Sequence, residues 1–258
     1  MVQGGYAVTA MLQATGVNKK FDAVVAASDI NISIAAGQRV SLIGSNGAGK
    51  TTFVNMITGY LKPDSGQISL QGQDITRLDP RAITRLGVAR SFQIPQLFGE
   101  LSVLENMLVA TACHEARLSF WQPARRRSAM DRAQTLLERF ALQEHRDRRV
   151  AELPGGVRKL LDIAISLTAA PKLLLLDEPT SGVSADEKFP MMETIMAALG
   201  HEQSTTVLFV EHDMDIVQAY ASRVIAFYSG RIIADAVPQA ALANDDVRRY
   251  VTGELLSE

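Results

Sequence analysis

The chain has 258 residues, with 26 Lys and Arg against 28 Asp and Glu and a formal net charge of −2. This length suits one α/β domain with a sizeable core, and the balanced charge argues against nucleic acid as a partner. The single cysteine, Cys113, excludes an internal disulfide and is interpreted as a small, half-buried core residue.

Membrane-spanning and secretory segments are not expected. The most apolar stretch, Leu160 to Leu176, is interrupted by Asp162, Pro171 and Lys172, so it is too broken to cross a bilayer. The N-terminal residues lack the pattern of a secretory signal. A role in a membrane process would therefore require docking onto other subunits.

Three short apolar runs predict buried strands at Val40–Ile43, Leu173–Leu176 and Val207–Val210. Each run is followed directly by glycine or by acidic residues. This pattern is typical of a mostly parallel sheet, in which ligands bind at the carboxyl ends of the strands.

Alternating segments near both ends of the chain predict a different kind of strand. Ile30–Ile34 and Gln67–Leu70 alternate apolar and polar residues, and Val224–Phe227 with Ile232–Ala234 flank a Ser-Gly turn as a hairpin would. We interpret these pieces as an antiparallel β layer beside the parallel sheet.

The middle of the chain, about Ser102 to Leu167, is predicted to be helical. Ser128 and Asp131 resemble a capping box at a helix start, and Arg125–Arg127 before them is interpreted as a solvated loop, with a lipid or partner contact as the alternative. A helical stripe that predicts packing follows at Met130, Ala133, Leu136, Leu137 and Phe140. We expect one domain over residues 1–258, with a helical sub-lobe inserted at about 94–167.

A phosphate-binding loop is predicted from an ungapped match to G-x-x-x-x-G-K-[ST]. The match consists of Gly44, Ser45, Asn46, Gly47, Ala48, Gly49, Lys50 and Thr51, followed by Thr52. Glycines let successive N–H groups converge on one anion, and the helix that starts near Lys50 points its positive end at the same phosphates. We expect Lys50 to reach the β- and γ-phosphates and the Thr51 hydroxyl to ligate Mg²⁺. The motif predicts a nucleoside triphosphate without identifying the base.

An acidic pair, Asp177 and Glu178, follows the four leucines of the second apolar run. A carboxylate at such a strand end can hold Mg²⁺ through water. Its neighbour can orient and deprotonate an attacking water. The pair therefore predicts hydrolysis when combined with the phosphate loop.

Taken in order, these motifs resemble those of the ATP-binding-cassette (ABC) ATPases. The further matching segments are Phe21, Gln93 in Arg90-Ser-Phe-Gln93, Leu153-Pro-Gly-Gly-Val157, Asp177-Glu-Pro-Thr-Ser-Gly182, Ser184-Ala-Asp186 and His212 in Val210-Glu-His-Asp213. The resemblance implies a P-loop (RecA-like) α/β fold, with a mostly parallel sheet core, an antiparallel β layer and an inserted helical sub-lobe.

The resemblance also implies roles for single residues. Phe21 would stack on the adenine of ATP, and Gln93 and Asp177 would organise Mg²⁺ with Thr51. Glu178 would be the general base, and His212 would contact the γ-phosphate. Gly155 and Gly156 would belong to the signature loop that completes the ATP site of a second ABC ATPase subunit.

Within the family, the chain most resembles the ATPase subunits of branched-chain amino acid importers. The matching segments are Arg90-Ser-Phe-Gln-Ile-Pro-Gln-Leu-Phe98, Val103-Leu-Glu-Asn-Met-Leu-Val-Ala110, Val210-Glu-His-Asp-Met214 and Asp246-Val-Arg-Arg-Tyr-Val-Thr-Gly-Glu254. ATPases that serve urea or amide importers and lipopolysaccharide-type exporters share some of them and remain alternatives. The implied partners are transmembrane permease subunits at the cytoplasmic face of the membrane and, indirectly, a solute-binding protein. The Ile94–Phe98 segment is either the contact for the permease or local core packing.

The signature loop departs from the family pattern Leu-Ser-Gly-Gly-Gln, because Pro154 and Val157 replace the serine and the glutamine. Proline lacks both a hydroxyl and a backbone N–H. We therefore expect this loop to serve a weakened ATP site within a heteromeric motor. Three functions outside transport are less favoured. A non-transport ABC ATPase usually carries a long coiled coil or a second cassette, and neither is seen in the sequence. A P-loop GTPase needs an Asn-Lys-x-Asp segment after a strand, which is absent, and a P-loop kinase needs a phosphoacceptor pocket and lid. Glu178 and His212 argue against a module that binds ATP without hydrolysing it.

Overall fold

The computed structural model describes residues 10–114, 123–200 and 205–253. The strands are β1 (Ala10–Phe21), β2 (Val24–Ala35), β3 (Arg39–Gly44), β4 (Ser65–Leu70), β5 (Gln73–Asp74), β6 (Val88–Ser91), β7 (Leu173–Asp177), β8 (Thr206–Val210), β9 (Arg223–Tyr228) and β10 (Arg231–Ala236). The α-helices are α1 (Lys50–Ile57), α2 (Pro80–Arg85), α3 (Val103–His114), α4 (Pro123–Arg139), α5 (Gly155–Ser166), α6 (Ala185–Gly200), α7 (Met214–Tyr220), α8 (Pro238–Leu242) and α9 (Asp245–Val247).

The described residues form two compact units. The first unit takes the residues up to Leu86, Thr206–Leu208, and those from Ala221 onward. The second takes Gly87–Thr205 and Phe209–Tyr220, so strand β8 begins in one unit and ends in the other. The predicted helical sub-lobe at about 94–167 falls within the residues of the second unit, and its boundaries as a separate sub-lobe stay a prediction.

An antiparallel sheet with the strand order β2-β1-β4-β5 occupies part of the first unit. Leu12 of β1 lies opposite Ile34 of β2 on one side and Leu70 of β4 on the other. In β2, Ile30, Ile32 and Ile34 are buried whereas the residues between them are exposed, which is the period of a sheet with one face on the core. The predicted antiparallel layer is confirmed for these strands.

The predicted hairpin also forms, but it was assigned to the wrong layer. Strands β9 and β10 are antiparallel partners, whereas β9 also pairs in parallel with β3, from Val40 opposite Arg223 to Gly44 opposite Phe227. Residues Val224–Phe227 are buried without interruption, as expected for a strand covered on both faces. The continuous burial of β9 places the hairpin in the parallel sheet, although its second strand alternates like an antiparallel one.

The second unit contains the parallel pair β6 and β7, in register from Val88 opposite Leu173 to Ser91 opposite Leu176. Every residue of β7 is buried. The predicted strands at Val40–Ile43, Leu173–Leu176 and Val207–Val210 correspond to β3, β7 and β8, and the parallel pairs β3–β9 and β6–β7 agree with the predicted mostly parallel sheet. Strand β6 was not predicted.

Helices dominate residues 102–167 in the described part of the chain, as predicted. Of the predicted stripe, Ala133, Leu136 and Leu137 on α4 and Phe140 just after it are buried, whereas Met130 is half-buried. The capping box at Ser128 was wrong, since α4 already runs from Pro123 and Ser128 lies inside it. Arginine is a good helix former, so the basic run continues the helix instead of forming a loop.

Cys113 is exposed near the end of α3, so its interpretation as a half-buried core residue was wrong. Across the described ranges, none of the helices is long and apolar enough to cross a membrane.

Candidate functional site

The predicted phosphate loop joins β3 to α1 in the first unit. Gly49 is the N-cap of α1 with φ 110°, and a Cβ placed there would lie 2.4 Å from the Ala26 carbonyl oxygen. Only glycine fits such a position. The helix has no side-chain cap and no acidic residue in its first turn, so its N-terminal N–H groups suit an anion.

Lys50 lies within this loop instead of projecting into solvent. Its Nζ donates to the carbonyl oxygens of Gly44 at 2.6 Å and Ser45 at 3.1 Å, and the residue is buried. Ser45, Asn46 and Gly47 are exposed, whereas Ala48 and Gly49 are buried. Thr51 is exposed at the first turn of α1, and Thr52 is half-buried. A concave loop with one central cation and open glycines fits the phosphates of a nucleotide.

In the second unit, the structure brings three predicted site residues together. Gln93 Nε2 donates to Glu178 Oε2 at 2.7 Å, and His212 Nε2 lies 3.1 Å from Glu178 Oε1. These side chains come from the segments that follow β6, β7 and β8, respectively. Their meeting agrees with the expectation that polar residues after parallel strands converge at one edge. Glu178 and His212 also line an open cleft of about 620 Å³.

Asp177 has a partner that the sequence did not reveal. Arg90 Nη2 lies 2.6 Å from Asp177 Oδ2, and the two side chains are only 9% and 11% exposed. The guanidinium also covers the ring of Phe92, 4.9 Å from its centroid. The ion pair lies between neighbouring parallel strands, and it uses one of the two oxygens of Asp177.

Glu211 is a second functional candidate that the sequence analysis missed. It is buried, and its Oε1 accepts hydrogen bonds from Thr180 N at 3.0 Å and Thr180 Oγ1 at 2.5 Å. Its Oε2 accepts one from His212 N at 2.9 Å. The only signal for it in the sequence was its position directly before His212.

The segment around Gln93 is held by a buried carboxylate on α5. Asp162 accepts from Ser91 Oγ at 2.7 Å, Phe92 N at 3.2 Å and Gln96 N at 3.3 Å. Burial raises the pKa of the Asp162 carboxyl, and these three hydrogen bonds oppose the rise. The backbone on both sides of Gln93 is therefore fixed.

Farther along, the Ile94–Phe98 segment presents apolar side chains to solvent. Ile94 is 74% exposed and Phe98 58% exposed, so local core packing does not account for these two side chains. The backbone of Phe98 is nevertheless pinned, because Asn106 accepts from its N–H at 2.9 Å and donates to its carbonyl at 3.0 Å.

The predicted signature loop leads into α5, with Pro154 as its N-cap and no side-chain cap bond. A Cβ at Gly155 or Gly156 would meet nothing within 4 Å, so this end of the helix is open. Lys159, one turn later, is buried and donates to Ser181 O at 2.9 Å. Burial lowers the pKa of the Lys159 ammonium, although nearby carboxylates oppose this effect.

The remaining candidates lie in different places. Phe21 ends β1, is 46% exposed, and has Lys19 Nζ 5.5 Å from its ring centroid. Ser184 Oγ donates to Glu187 Oε2 at 2.7 Å at the start of α6. Ser184 to Asp186 thus form the entry to a helix, as Asp177 to Gly182 form the exit from a strand.

The donor set indicates which cation could be held. Among the residues that the structure describes, no cluster of three His, Cys, Asp or Glu side chains could bind a metal. A hydroxyl, an amide and a carboxylate fit Mg²⁺, which keeps several waters and relies on substrate phosphates. They do not fit zinc, which takes Cys and His ligands.

Comparison with known proteins decides the family. Residues 27–181 match the family model described as ABC transporter. LivG of Escherichia coli K12, a high-affinity branched-chain amino acid transport ATP-binding protein, is 38% identical over 253 residues, 95% of this chain and 98% of LivG. The chain belongs to the ABC transporter family.

Other members of the ABC family support this assignment. BraF of Pseudomonas aeruginosa, with the same described role, is 36% identical over 252 residues, 95% of this chain and 98% of BraF. The solved structure of the ATP-binding cassette MJ1267 in its ADP conformation has a TM-score of 0.79 and 30% identity, covering 93% of this chain and 97% of that one. The predicted family and fold class are confirmed. The chain is an ATPase subunit of the ABC type.

Proposed function

We propose that this ABC ATPase drives the import of branched-chain or other hydrophobic amino acids. The observation that carries the hydrolytic part is the position of Glu178, with Gln93 on one carboxylate oxygen and His212 on the other. The names of LivG and BraF support the substrate class. Urea or amide import and lipopolysaccharide-type export are the alternatives.

In this proposal Phe21 stacks on the adenine, and Lys50 with the amides of residues 45–52 holds the phosphates. Thr51 ligates Mg²⁺ directly, and Gln93 and Asp177 do so directly or through water. When bound, Mg²⁺ neutralises charge that develops on the transferred phosphoryl group.

Glu178 acts as the general base on the attacking water. Its carboxylate accepts from Gln93, so the amide also orients it. His212 contacts the γ-phosphate and also lies next to the base, with its Nε2 3.1 Å from Glu178 Oε1. Positioned acid–base catalysis of this kind contributes typically about 10²–10⁴-fold to a rate.

The experiment for the hydrolytic part is the substitution Glu178→Gln. We expect turnover of ATP to fall about 10²–10⁴-fold, whereas ATP affinity stays close to that of the wild type, because no phosphate contact is removed. Glu193→Gln, at an exposed position of α6, is the matched control and should change neither. Turnover near the wild-type level in Glu178→Gln would remove Glu178 from the mechanism.

The proposed partners are permease subunits that hold the ATPase at the cytoplasmic face of the membrane. The exposed, backbone-pinned Ile94–Phe98 segment supports a docking role, because its apolar side chains are presented in a fixed conformation. Ile94→Asp should release the ATPase from permease-containing membranes, with Val24→Asp, at an exposed position of β2, as control.

Stimulation of ATPase activity by branched-chain amino acids in proteoliposomes would support the substrate class, and stimulation only by urea or amides would overturn it.

We further propose that the motor is heteromeric. Pro154 supplies neither the hydroxyl nor the N–H of a signature serine, so the ATP site that this signature serves is weakened. The site built on Lys50 and Glu178 would be completed by the signature of a different ATPase subunit. In the assembled transporter, Lys50→Ala should therefore cost more activity than Gly155→Asp, and equal losses would contradict the asymmetry.

A further inference from the structure

A single buried carboxylate connects the two segments that carry Glu178 and His212. Glu211 follows β8 directly and is only 3% exposed. Its Oε1 accepts both the backbone N–H and the hydroxyl of Thr180, two residues after Glu178. Its Oε2 accepts the backbone N–H of His212 at 2.9 Å.

The segment on the Glu178 side is strained and needs such support. Glu178 has φ 50°, a left-handed conformation that is unfavourable for a non-glycine residue and persists only where neighbours enforce it. Its N–H donates to Val210 O at 3.0 Å, and its carbonyl accepts from Ser181 N at 3.1 Å. The Thr180–Glu211 hydrogen bonds lie within this turn, so they help to fix the direction in which the Glu178 side chain leaves the backbone.

The surroundings of Glu211 are suited to an ionised carboxylate. Burial lowers the pKa of the Lys159 ammonium, and the negative charge of Glu211 opposes this effect. The hydrogen bond to Asp213 raises the pKa of Lys188, and the charge of Glu211 adds to the rise. Lys159 also donates to Ser181 O at 2.9 Å, in the same turn. A buried charge with cations nearby and three good hydrogen bonds is stable where an isolated one would not be.

We propose that Glu211 is a positioning residue for hydrolysis, which holds the turn of Glu178 with one oxygen and the backbone of His212 with the other. It thereby sets the 3.1 Å approach of His212 Nε2 to Glu178 Oε1. This inference rests on the proposed role of Glu178 as the base. It deepens that role by naming the group that places the base against the histidine.

Glutamine is the informative substitution because it keeps the size of Glu211 and removes half of its acceptors. With one carbonyl oxygen and one NH₂ group, the amide side chain of Glu211→Gln can satisfy either the Thr180 side or the His212 side. On the other side, the NH₂ group of the glutamine then meets a backbone N–H, so two donors face each other. Thr180→Val removes the hydroxyl alone and keeps the backbone bond.

The experiment measures steady-state ATP turnover of the assembled transporter with Mg²⁺, with each substitution made in this chain alone. For Glu211→Gln we expect kcat to fall about ten- to a hundredfold, as for the loss of a hydrogen bond to a charged group, with KM changed less than about twofold because no phosphate contact is lost. Thr180→Val should show a smaller fall in kcat of the same kind. Thr168→Val is the matched control, since Thr168 is also buried and its hydroxyl also donates a hydrogen bond, but to a backbone carbonyl, Ile165 O at 2.7 Å, instead of to Glu211. We expect the control to leave kcat unchanged.

A second measurement separates positioning from general loss of stability. If Glu211 acts through Glu178, adding Glu211→Gln to Glu178→Gln should reduce the residual turnover by less than about twofold, because the group being positioned is already gone. A merely structural role would give the same fold loss in both backgrounds.

The outcomes are distinguishable from those of the proposed function. A full loss in Glu178→Gln combined with a kcat within about twofold of wild type in Glu211→Gln would overturn this inference and leave the base assignment intact. An active Glu178→Gln would overturn both. If Glu211→Gln does not fold, Thr180→Val carries the test, and an unchanged kcat in that variant overturns the inference.

Discussion

Arg90→Met should destabilise the protein far more than the loss of an ordinary surface arginine. The Arg90–Asp177 pair has side chains only 9% and 11% exposed, so removing the guanidinium leaves a buried carboxylate without its counter-charge. Breaking a buried pair on one side typically costs about 3–5 kcal/mol. For a chain of this size, each kcal/mol lowers Tm by roughly 2–4 °C, so we expect a loss of about 6–20 °C by that scaling.

The assay is urea unfolding followed by circular dichroism, with thermal melts alongside. Arg149→Met is the matched control, because Arg149 pairs with Glu100 at 3.8 Å while both side chains are exposed, at 65% and 89%. Such surface pairs contribute about 0–1 kcal/mol. The variant Arg90→Met with Asp177→Asn removes the orphaned charge and should recover most of the stability.

Two results would refute this reasoning. One is a loss in Arg90→Met no larger than in Arg149→Met, which would mean that water reaches Asp177. The other is a double variant whose loss of stability equals the sum of the losses in Arg90→Met and Asp177→Asn. That result would mean that the new methionine and asparagine side chains pack badly and that the unpaired charge is not the cause.

Three further expectations concern separate parts of the chain. Lys188→Met should lower stability modestly, because the hydrogen bond between Lys188 and Asp213 lowers the pKa of Asp213 and raises that of Lys188. The contribution of the pair to stability is present between the ordinary pKa values of 3.8 and 10.5 and is lost as pH falls through the lowered pKa of Asp213 or rises through the raised pKa of Lys188. Thermal melts of the wild type and the variant should therefore converge at the acid end. Gly49→Ala should abolish binding of a fluorescent ATP analogue, because its Cβ would lie 2.4 Å from a backbone carbonyl oxygen at φ 110°. Asn106→Ala removes side-chain hydrogen bonds to Phe98 N, Phe98 O and Ser102 O, and a longer one to Leu101 O, so it should cost about 2–3 kcal/mol and raise amide exchange at Phe98. Unchanged exchange would show that the segment is held by other contacts.

The phosphate loop and the strands before each motif could be predicted because their signals are local. An apolar run such as Leu173–Leu176 has few ways to be satisfied other than as a buried strand, and the glycines of the loop are required by its backbone conformation. The confirmed antiparallel strands follow from alternation in the same way. Each of these predictions uses residues within about ten positions of one another.

The features that the sequence did not reveal depend on residues far apart in the chain. Arg90 lies in a four-residue strand whose pattern Val-Ala-Arg-Ser is not apolar enough to predict β structure, and it is stabilised by a carboxylate 87 positions away. Glu211 and Thr180 are 31 positions apart. The sequence around a charged residue inside a sheet looks like that around a surface residue, and only the distant partner shows the difference. Both pairs were missed for this reason.

The wrong helix start on α4 came from a local signal, whereas the missed ion pair and hydrogen bonds depend on residues far apart in the chain. The pattern Ser128 to Asp131 is a valid capping signal taken alone, but the three arginines before it have good helix propensity and the helix continues back to Pro123. The local signal fails here because an N-cap forms only at the residue where a helix begins, and the arginines extend this helix back past Ser128.

The geometry of α5 explains what Pro154 changes at the signature loop. Proline at the N-cap gives that helix no side-chain cap, so the N–H groups of the first turn remain directed out of the helix. Gly155 and Gly156 leave the approach open, and an anion can still meet the positive end of the helix. What is lost relative to serine is one hydroxyl and one N–H, on the order of 1.5–3 kcal/mol for each hydrogen bond to a charged group. In the proposed heteromeric motor, a loop with these properties would weaken an ATP site without closing it. Pro154→Ser should therefore raise the ATPase activity of the assembled transporter, and an unchanged rate would leave the proline without functional effect.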